Sequence, residues 1–104
     1  MSILFSEDRI NKTVLAIDEK NETVTVNGEA CELTHQEYCL LYRLAQEPEH
    51  AVSRDDLLQD AWGYICPGMT RTVDVHVQRL RKKLGAACIE TVYRHGYRLA
   101  ARPA

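Results

Sequence analysis

No run of apolar residues in this chain approaches the length needed to cross a bilayer, so a membrane-spanning helix is excluded. Ile3-Leu4-Phe5 is cut short by Glu7 and Asp8, which leaves no recognisable signal peptide and predicts a cytoplasmic protein with no membrane partner. The four cysteines include no C-x-x-C pair, and no histidine stands at zinc-ligand spacing from any of them. Cys31 and Cys88 are expected in strands and Cys39 in a helix, all as small hydrophobes, with Cys66 in a loop as the exposed thiol. No disulfide framework is expected in a reducing compartment. His35, His50, His76 and His95 are scattered, so neither a metal nor a cofactor is expected. Also missing are a glycine-rich phosphate loop, paired carboxylates in an apolar setting, a nucleophile elbow and an H-E-x-x-H helix. Their absence argues against an enzyme. Without repeats, low-complexity tracts or a linker, the 104 residues read as one domain, residues 1–104. Its 45% apolar and 27% charged content are those of an ordinary globular protein.

What the chain does have is charge divided by region. The formal net charge is −2, but residues 1–69 hold 5 Lys/Arg against 13 Asp/Glu, whereas residues 70–104 hold 8 against 2. The halves therefore carry −8 and +6, a dipolar arrangement that can dock one end on a polyanion. Within the basic part, residues 70–84 read as one helix with two incompatible faces. At about 100° per residue, Val73, Val77, Leu80 and Leu84 fall on a narrow apolar stripe. Arg71, Asp74, Val75, Gln78 and Lys82 point the opposite way, with Arg79 and Arg81 on the shoulders. Side chains of this kind can bond base edges, and arginine or lysine can pair with phosphates.

The surrounding pattern gives that helix a context. Thr13–Ile17 and Thr23–Val26 read as strands, the second running into Asn27-Gly28, a strong hairpin signal, with Glu29–Leu33 as the return strand. Residues 3–5 form a further strand. Thr34 opens a helix with a capping box to Glu37, its core stripe is Tyr38, Leu41, Leu44 and Ala45, and Pro48 ends it. Ser53 repeats the device with Asp56, ahead of Leu57, Leu58, Ala61 and Trp62, and Gly63 is the stop. After a loop with Pro67-Gly68 at its turn comes the dipolar helix, ended by Gly85. Ile89–Tyr93 and Tyr97–Leu99 then form a hairpin in which Gly96 can take positive φ. Helix, helix, loop, helix, hairpin is the order of a winged helix-turn-helix, an α+β fold whose last helix enters the major groove. The sheet occupies about residues 1–33, the three helices 34–84 and the wing 88–101.

Five blocks in this order resemble the OmpR/PhoB-type winged-helix output domain of two-component response regulators. They are Leu33-Thr34-x-x-Glu37-Tyr38-x-Leu40-Leu41, Val52-Ser53-Arg54-Asp55-Asp56-Leu57-Leu58, Trp62-Gly63-Tyr64, Arg71-Thr72-Val73-Asp74-Val75-His76-Val77-x-Arg79-Leu80-Arg81-x-Lys83-Leu84, and Ile89-x-Thr91-Val92 with Gly96-Tyr97-Arg98-Leu99. The resemblance covers most of the chain and implies a four-stranded antiparallel sheet ahead of the three helices. It implies transcription regulation by sequence-specific binding of double-stranded DNA, as a monomer off DNA that pairs on direct-repeat half-sites. Arg71, Thr72, His76 and Arg81 would hold phosphates, as would Lys82, with Trp62 and Thr91 at positions that touch the backbone. Asp74, Val75, Gln78 and Arg79 would face base edges, Val75 suiting a thymine methyl and Arg79 a guanine. Tyr93, Arg94 and His95 form the wing tip at the minor groove. The loop Gly63, Tyr64, Ile65, Cys66, Pro67, Gly68 and Met69 corresponds to a segment presented to RNA polymerase. A receiver domain with a phosphorylatable aspartate belongs to such regulators, and the resemblance covers none of it; the chain reads equally as a fragment or as a stand-alone regulator.

Two positions depart from the family pattern. Arg-Gly-x-Gly-Tyr is common at the wing, whereas here Tyr93 and Arg94 replace the first two residues, so that Arg94 either takes over the minor-groove reach or the wing holds backbone only. Gln78 stands where a cation is common, which trades a phosphate contact for adenine readout. Several residues also have plainer readings. Arg71 and Arg79 can pair with the acidic half, Arg81 with Glu90, and Asp74 can orient Arg71 or Arg79. His76 is as readily a packed, hydrogen-bonded histidine, Trp62 a core residue and Tyr97 a structural one, while Lys82 and Lys83 read as solvated charge. The competing function is a winged helix that contacts RNA polymerase through the acidic half and the Gly63–Met69 loop, with DNA binding secondary or lost.

Overall fold

The two-residue period of β2 (Val14–Asp18) turns Leu15 and Ile17 inward, while Val14 is exposed and Ala16 half-covered. β3 (Thr23–Val26) pairs antiparallel with it, and β4 (Glu29–Cys31) returns through Asn27-Gly28, both at positive φ as the tight hairpin requires. β1 (Ser2–Ser6) lies on the other side of β2. The computed structural model describes residues 2–6, 14–63, 69–100 and 102–103, the first and last of these as backbone pairing.

The sheet has five strands rather than four, in the order β4-β3-β2-β1-β7. The added strand is β7 (Arg102–Pro103), which pairs with Phe5 and Ser6 after the wing has ended. Two residues carry no periodic signal, and a proline fits because this is an edge strand. β-Pairing in the wing ends at Leu99, the Ala100 amide still donates to the Cys88 carbonyl at 2.8 Å, and residues 102–103 pair with the N-terminal sheet.

α1 (His35–Gln46) starts on the capping box: Thr34 Oγ1 accepts from the Glu37 amide at 3.2 Å, and Glu37 Oε1 accepts from the Thr34 amide at 2.8 Å. α2 (Arg54–Trp62) starts on Ser53, whose Oγ accepts from the Asp56 amide at 3.0 Å, and ends at Gly63 in the left-handed region with φ 80. α3 (Arg71–Leu84) lacks a side-chain cap at Thr70; its first turn is closed by the carbonyls of Met69 and Thr70. Leu40, Leu41 and Leu44 of α1, Leu57 and Leu58 of α2, and the α3 stripe meet Leu15, Ile17 and Val24 of the sheet in one core. β5 (Ile89–Val92) and β6 (Gly96–Leu99) form the wing hairpin and bury Ile89, Tyr97 and Leu99 on the same core. Among the described residues, no helix is long and apolar enough to cross a membrane.

Candidate nucleic-acid interface

α3 is divided as its sequence dictates. Val73, Val77 and Leu80 are fully buried and Leu84 nearly so, while Arg71, Val75, Gln78, Arg79 and Lys82 are exposed. Val75 is 44% exposed, an aliphatic held in solvent between polar neighbours. No side-chain hydrogen bond or ion pair to another described residue engages Arg71, Gln78, Arg79 or Lys82.

Other polar residues of the same helix are engaged. Asp74 receives Arg54 Nε at 3.0 Å on Oδ1 and the Arg54 guanidinium again on Oδ2, and the Tyr97 hydroxyl donates to Oδ1 at 2.7 Å. This ties the start of α2, α3 and the wing at one carboxylate. Burial, followed by the hydrogen bond to Asp74, pushes the Tyr97 hydroxyl up to about 12. Asp74, expected to read bases or to orient Arg71 or Arg79, has both its oxygens engaged by Arg54 and Tyr97, and the arginine it holds is Arg54. Arg54 is the residue that sequence reading passed over. Its position one residue after the Ser53 cap was the available signal, since that start of α2 faces the wing.

Arg81 also turns inward. Its Nε donates to the Ile89 carbonyl at 3.0 Å and a terminal nitrogen to Thr91 Oγ1 at 2.9 Å, with the guanidinium 5.6 Å from the Tyr97 ring centre. It fastens α3 to β5 and occupies the Thr91 hydroxyl. The alternative partner, Glu90, pairs with Arg98 instead. Lys83 is not solvated charge: its Nζ donates to Glu37 Oε1 at 2.6 Å, and Glu37 is 1% exposed. Burial alone would raise the Glu37 carboxyl, but the hydrogen bonds from Lys83 and Thr34 outweigh it and hold the group below its ordinary 4.5. His76 lies 2.9 Å through Nδ1 from the Thr72 carbonyl, and its ring meets the half-buried Trp62 edge-on at 4.9 Å between centres. With Nδ1 so engaged, Nε2 is the nitrogen left to face outward chemistry.

The wing is pinned to the helical body by a short bridge in which Val52 and Tyr97 exchange backbone hydrogen bonds of 2.8 and 3.1 Å. Gly96 makes that approach possible. Its φ is 129, and a Cβ there would lie 2.0 Å from the Val52 carbonyl oxygen. At the tip, Arg94 holds φ 65, so an arginine occupies the left-handed conformation where glycine is common in the family pattern. Tyr93 is 78% exposed, and the Arg94 guanidinium sits 5.2 Å from its ring centre. Between wing and helices runs a groove of about 450 Å³, with Ser53, Arg54, Asp74, Arg94, His95 and Tyr97 in its walls. Residues 64–68 of the expected polymerase-facing loop lie outside the described residues, its ends being Gly63 and the exposed Met69. No group of three potential metal ligands occurs among the described residues.

Three helices, a sheet ahead of them and a hairpin pinned beside the last helix define a winged helix-turn-helix protein. The family model described as "Transcriptional regulatory protein, C terminal" matches residues 28–99. Among relatives, the chain is 43% identical over 99 residues to an uncharacterized transcriptional regulatory protein of Bacillus subtilis, YclJ, covering 91% of this chain and 44% of the relative. It is 41% identical over 95 residues to the response regulator ArlR of Staphylococcus aureus, covering 88% of this chain and 43% of ArlR. Among solved structures, the DNA-binding domain of RstA from Klebsiella pneumoniae, in complex with the RstA box, is 36% identical with a TM-score of 0.76; the match covers 86% of this chain and 98% of that one. The chain belongs to this family, the OmpR/PhoB-type C-terminal domain of transcriptional regulators, which is a family of DNA-binding domains and not of enzymes. It spans less than half the length of the curated relatives it matches.

Proposed function

We propose that the chain binds double-stranded DNA as the output domain of a response regulator, with α3 in the major groove and the wing at the minor groove. The observation that carries this reading is the outward face of α3, where Arg71, Gln78, Arg79 and Lys82 stand unengaged among the described residues while the opposite face is buried. A solvated helix that merely covered a core would have no need of a wing fastened beside it. Arg79, Gln78 and Val75 face base edges: guanine, adenine and a thymine methyl are the groups their chemistry fits. Arg71, Thr72 and Lys82 hold phosphates, and Arg54 joins them from the start of α2, since its half-exposed guanidinium lies in the groove wall. His76 reaches the backbone through Nε2. Arg81 and Asp74 act one step back, by fixing the angles of the wing and of α2 against α3. Arg94, raised on its left-handed backbone beside Tyr93, supplies the minor-groove cation.

Two copies would pair on direct repeats, following the family pattern, and the Gly63–Met69 loop would face RNA polymerase. The test is a titration against repeat-containing DNA at several salt concentrations. Each neutralised phosphate should contribute about −0.9 to the slope of log affinity on log salt. Arg79→Ala should cost about 1–3 kcal/mol on the preferred site and relax selection at one base position, with the melting temperature unchanged. Salt-independent binding, or an Arg79→Ala protein that selects the same site with the same affinity, would reject the reading. Polymerase capture by a protein that does not bind DNA would favour the protein-contact alternative.

A further inference from the structure

Outside the residues assigned to DNA, three chemically active side chains meet on the outer side of α1. Cys39 Sγ lies 3.5 Å from Nε2 of His35, one helical turn earlier. His35 Nδ1 lies 2.9 Å from Glu22 Oε1, which reaches across from the turn between β2 and β3. Thiol, imidazole and carboxylate in series are a nucleophile, its base and the group that orients the base. The carboxylate accepts a hydrogen bond from Nδ1–H, which leaves Nε2 as the acceptor facing the S–H. Burial, and after it the Glu22 charge, push the Cys39 thiol up, so the sulfur rests protonated and its reactivity depends on a base within reach. Beside it opens a groove of about 350 Å³ between Tyr38, Tyr42, Arg43, Gln46 and Asp60, room for a small adduct.

Cys31 provides the contrast within the same molecule. It is also half-buried, and burial likewise raises its thiol, but its Sγ faces the Lys83 carbonyl at 3.8 Å instead of an imidazole.

We propose that Cys39 is a thiol–disulfide exchange site for low-molecular-weight disulfides, with His35 as its base and Glu22 holding His35 in place. His35 Nε2 accepts the thiol proton as Sγ attacks one sulfur of the disulfide. An Sγ–S bond forms and the reagent's own S–S bond breaks. The departing thiolate takes the proton back from His35, so Cys39 is oxidised to a mixed disulfide and the other half of the reagent leaves reduced as a thiol. This site does not rest on the DNA reading.

The experiment uses the full chain carrying Cys66→Ser, treated at neutral pH with bis(2-hydroxyethyl) disulfide, an uncharged probe, and sampled over time for site-resolved peptide mass spectrometry. Cys39 should gain the adduct about tenfold faster than Cys31, and His35→Asn should slow Cys39 about tenfold while leaving the Cys31 rate unchanged. Glu22→Gln should slow it by a smaller factor. The His35 side chain is 67% exposed, so thermal melting of His35→Asn is expected to match the parent. Equal rates at Cys39 and Cys31 in the parent, or a Cys39 rate indifferent to His35→Asn, would overturn the proposal.

Discussion

Two groups of polar residues share the solvent half of α3, and they have opposite fates. Asp74, Arg81 and Lys83 are engaged by other segments, through Arg54 and Tyr97, Ile89 and Thr91, and Glu37 respectively, while His76 is held by the Thr72 carbonyl of its own helix and the Trp62 ring. Arg71, Gln78, Arg79 and Lys82 have no such partner among the described residues. Both groups consist of residues able to touch DNA, and on a helical wheel they interleave. The difference lies in what stands opposite each one in space. A charge that meets a buried carboxylate or a strand carbonyl becomes a fastener, and one that meets solvent remains available to a ligand. The first group then sets the geometry that the second can use.

The comparison is broken most severely by removing what both groups rest on. Leu80→Ala deletes a fully buried side chain at the centre of the stripe and should cost about 2–5 kcal/mol in chemical denaturation. DNA affinity should then fall with the folded fraction and with no change in preferred site.

A smaller and more selective effect separates a fastener from a contact. Lys83→Met leaves the Glu37 carboxyl buried without its cation and should destabilise the fold by about 1–3 kcal/mol, less than for a wholly buried pair because Lys83 is partly exposed. Site selection by the folded protein should be unaltered. The same pair predicts a pH dependence. Glu37 has a folded-state value below its ordinary 4.5, so its contribution is present above 4.5 and is lost as pH falls through the folded value. Unfolding measured from neutral pH downward should therefore show a steeper acid loss in the parent than in Glu37→Gln; superimposable profiles would contradict it.

The smallest effect sharpens the other side. Arg71→Ala should leave the melting curve where it is and reduce the salt slope of DNA binding by about 0.9, with no change in base preference. A large stability loss would instead move Arg71 into the group of fasteners.

Much of the fold was legible because its signals are local. The Thr34 and Ser53 caps, the Asn27-Gly28 turn, the stop at Gly63 and the apolar stripe of α3 each depend on residues within a turn or two of one another. β7 was not legible, since two residues at an edge make a strand only when β1 lies beside them. The division of α3 into a buried and an exposed face was legible, and the partners of its individual polar residues were less so. Asp74, Arg81 and Lys83 have partners 8 to 46 positions away in the chain, distances at which sequence spacing carries no geometric information. Arg94 is a mixed case: its replacement of a common glycine is visible in the sequence, but its left-handed backbone, with the guanidinium against Tyr93, emerges only once the hairpin closes.

By itself, the order of residues determined where helices and turns begin and end, which side of α3 is apolar, and that positive charge collects in the last third of the chain. Those outcomes follow from short-range hydrogen bonding, periodicity and composition. Tertiary structure alone decided which polar side chains of α3 are engaged by the rest of the protein and which stand in solvent. That choice depends on burial and on partners brought together from distant segments, and a buried carboxylate such as Glu37 takes its cation from whichever lysine the packing of α1 against α3 delivers.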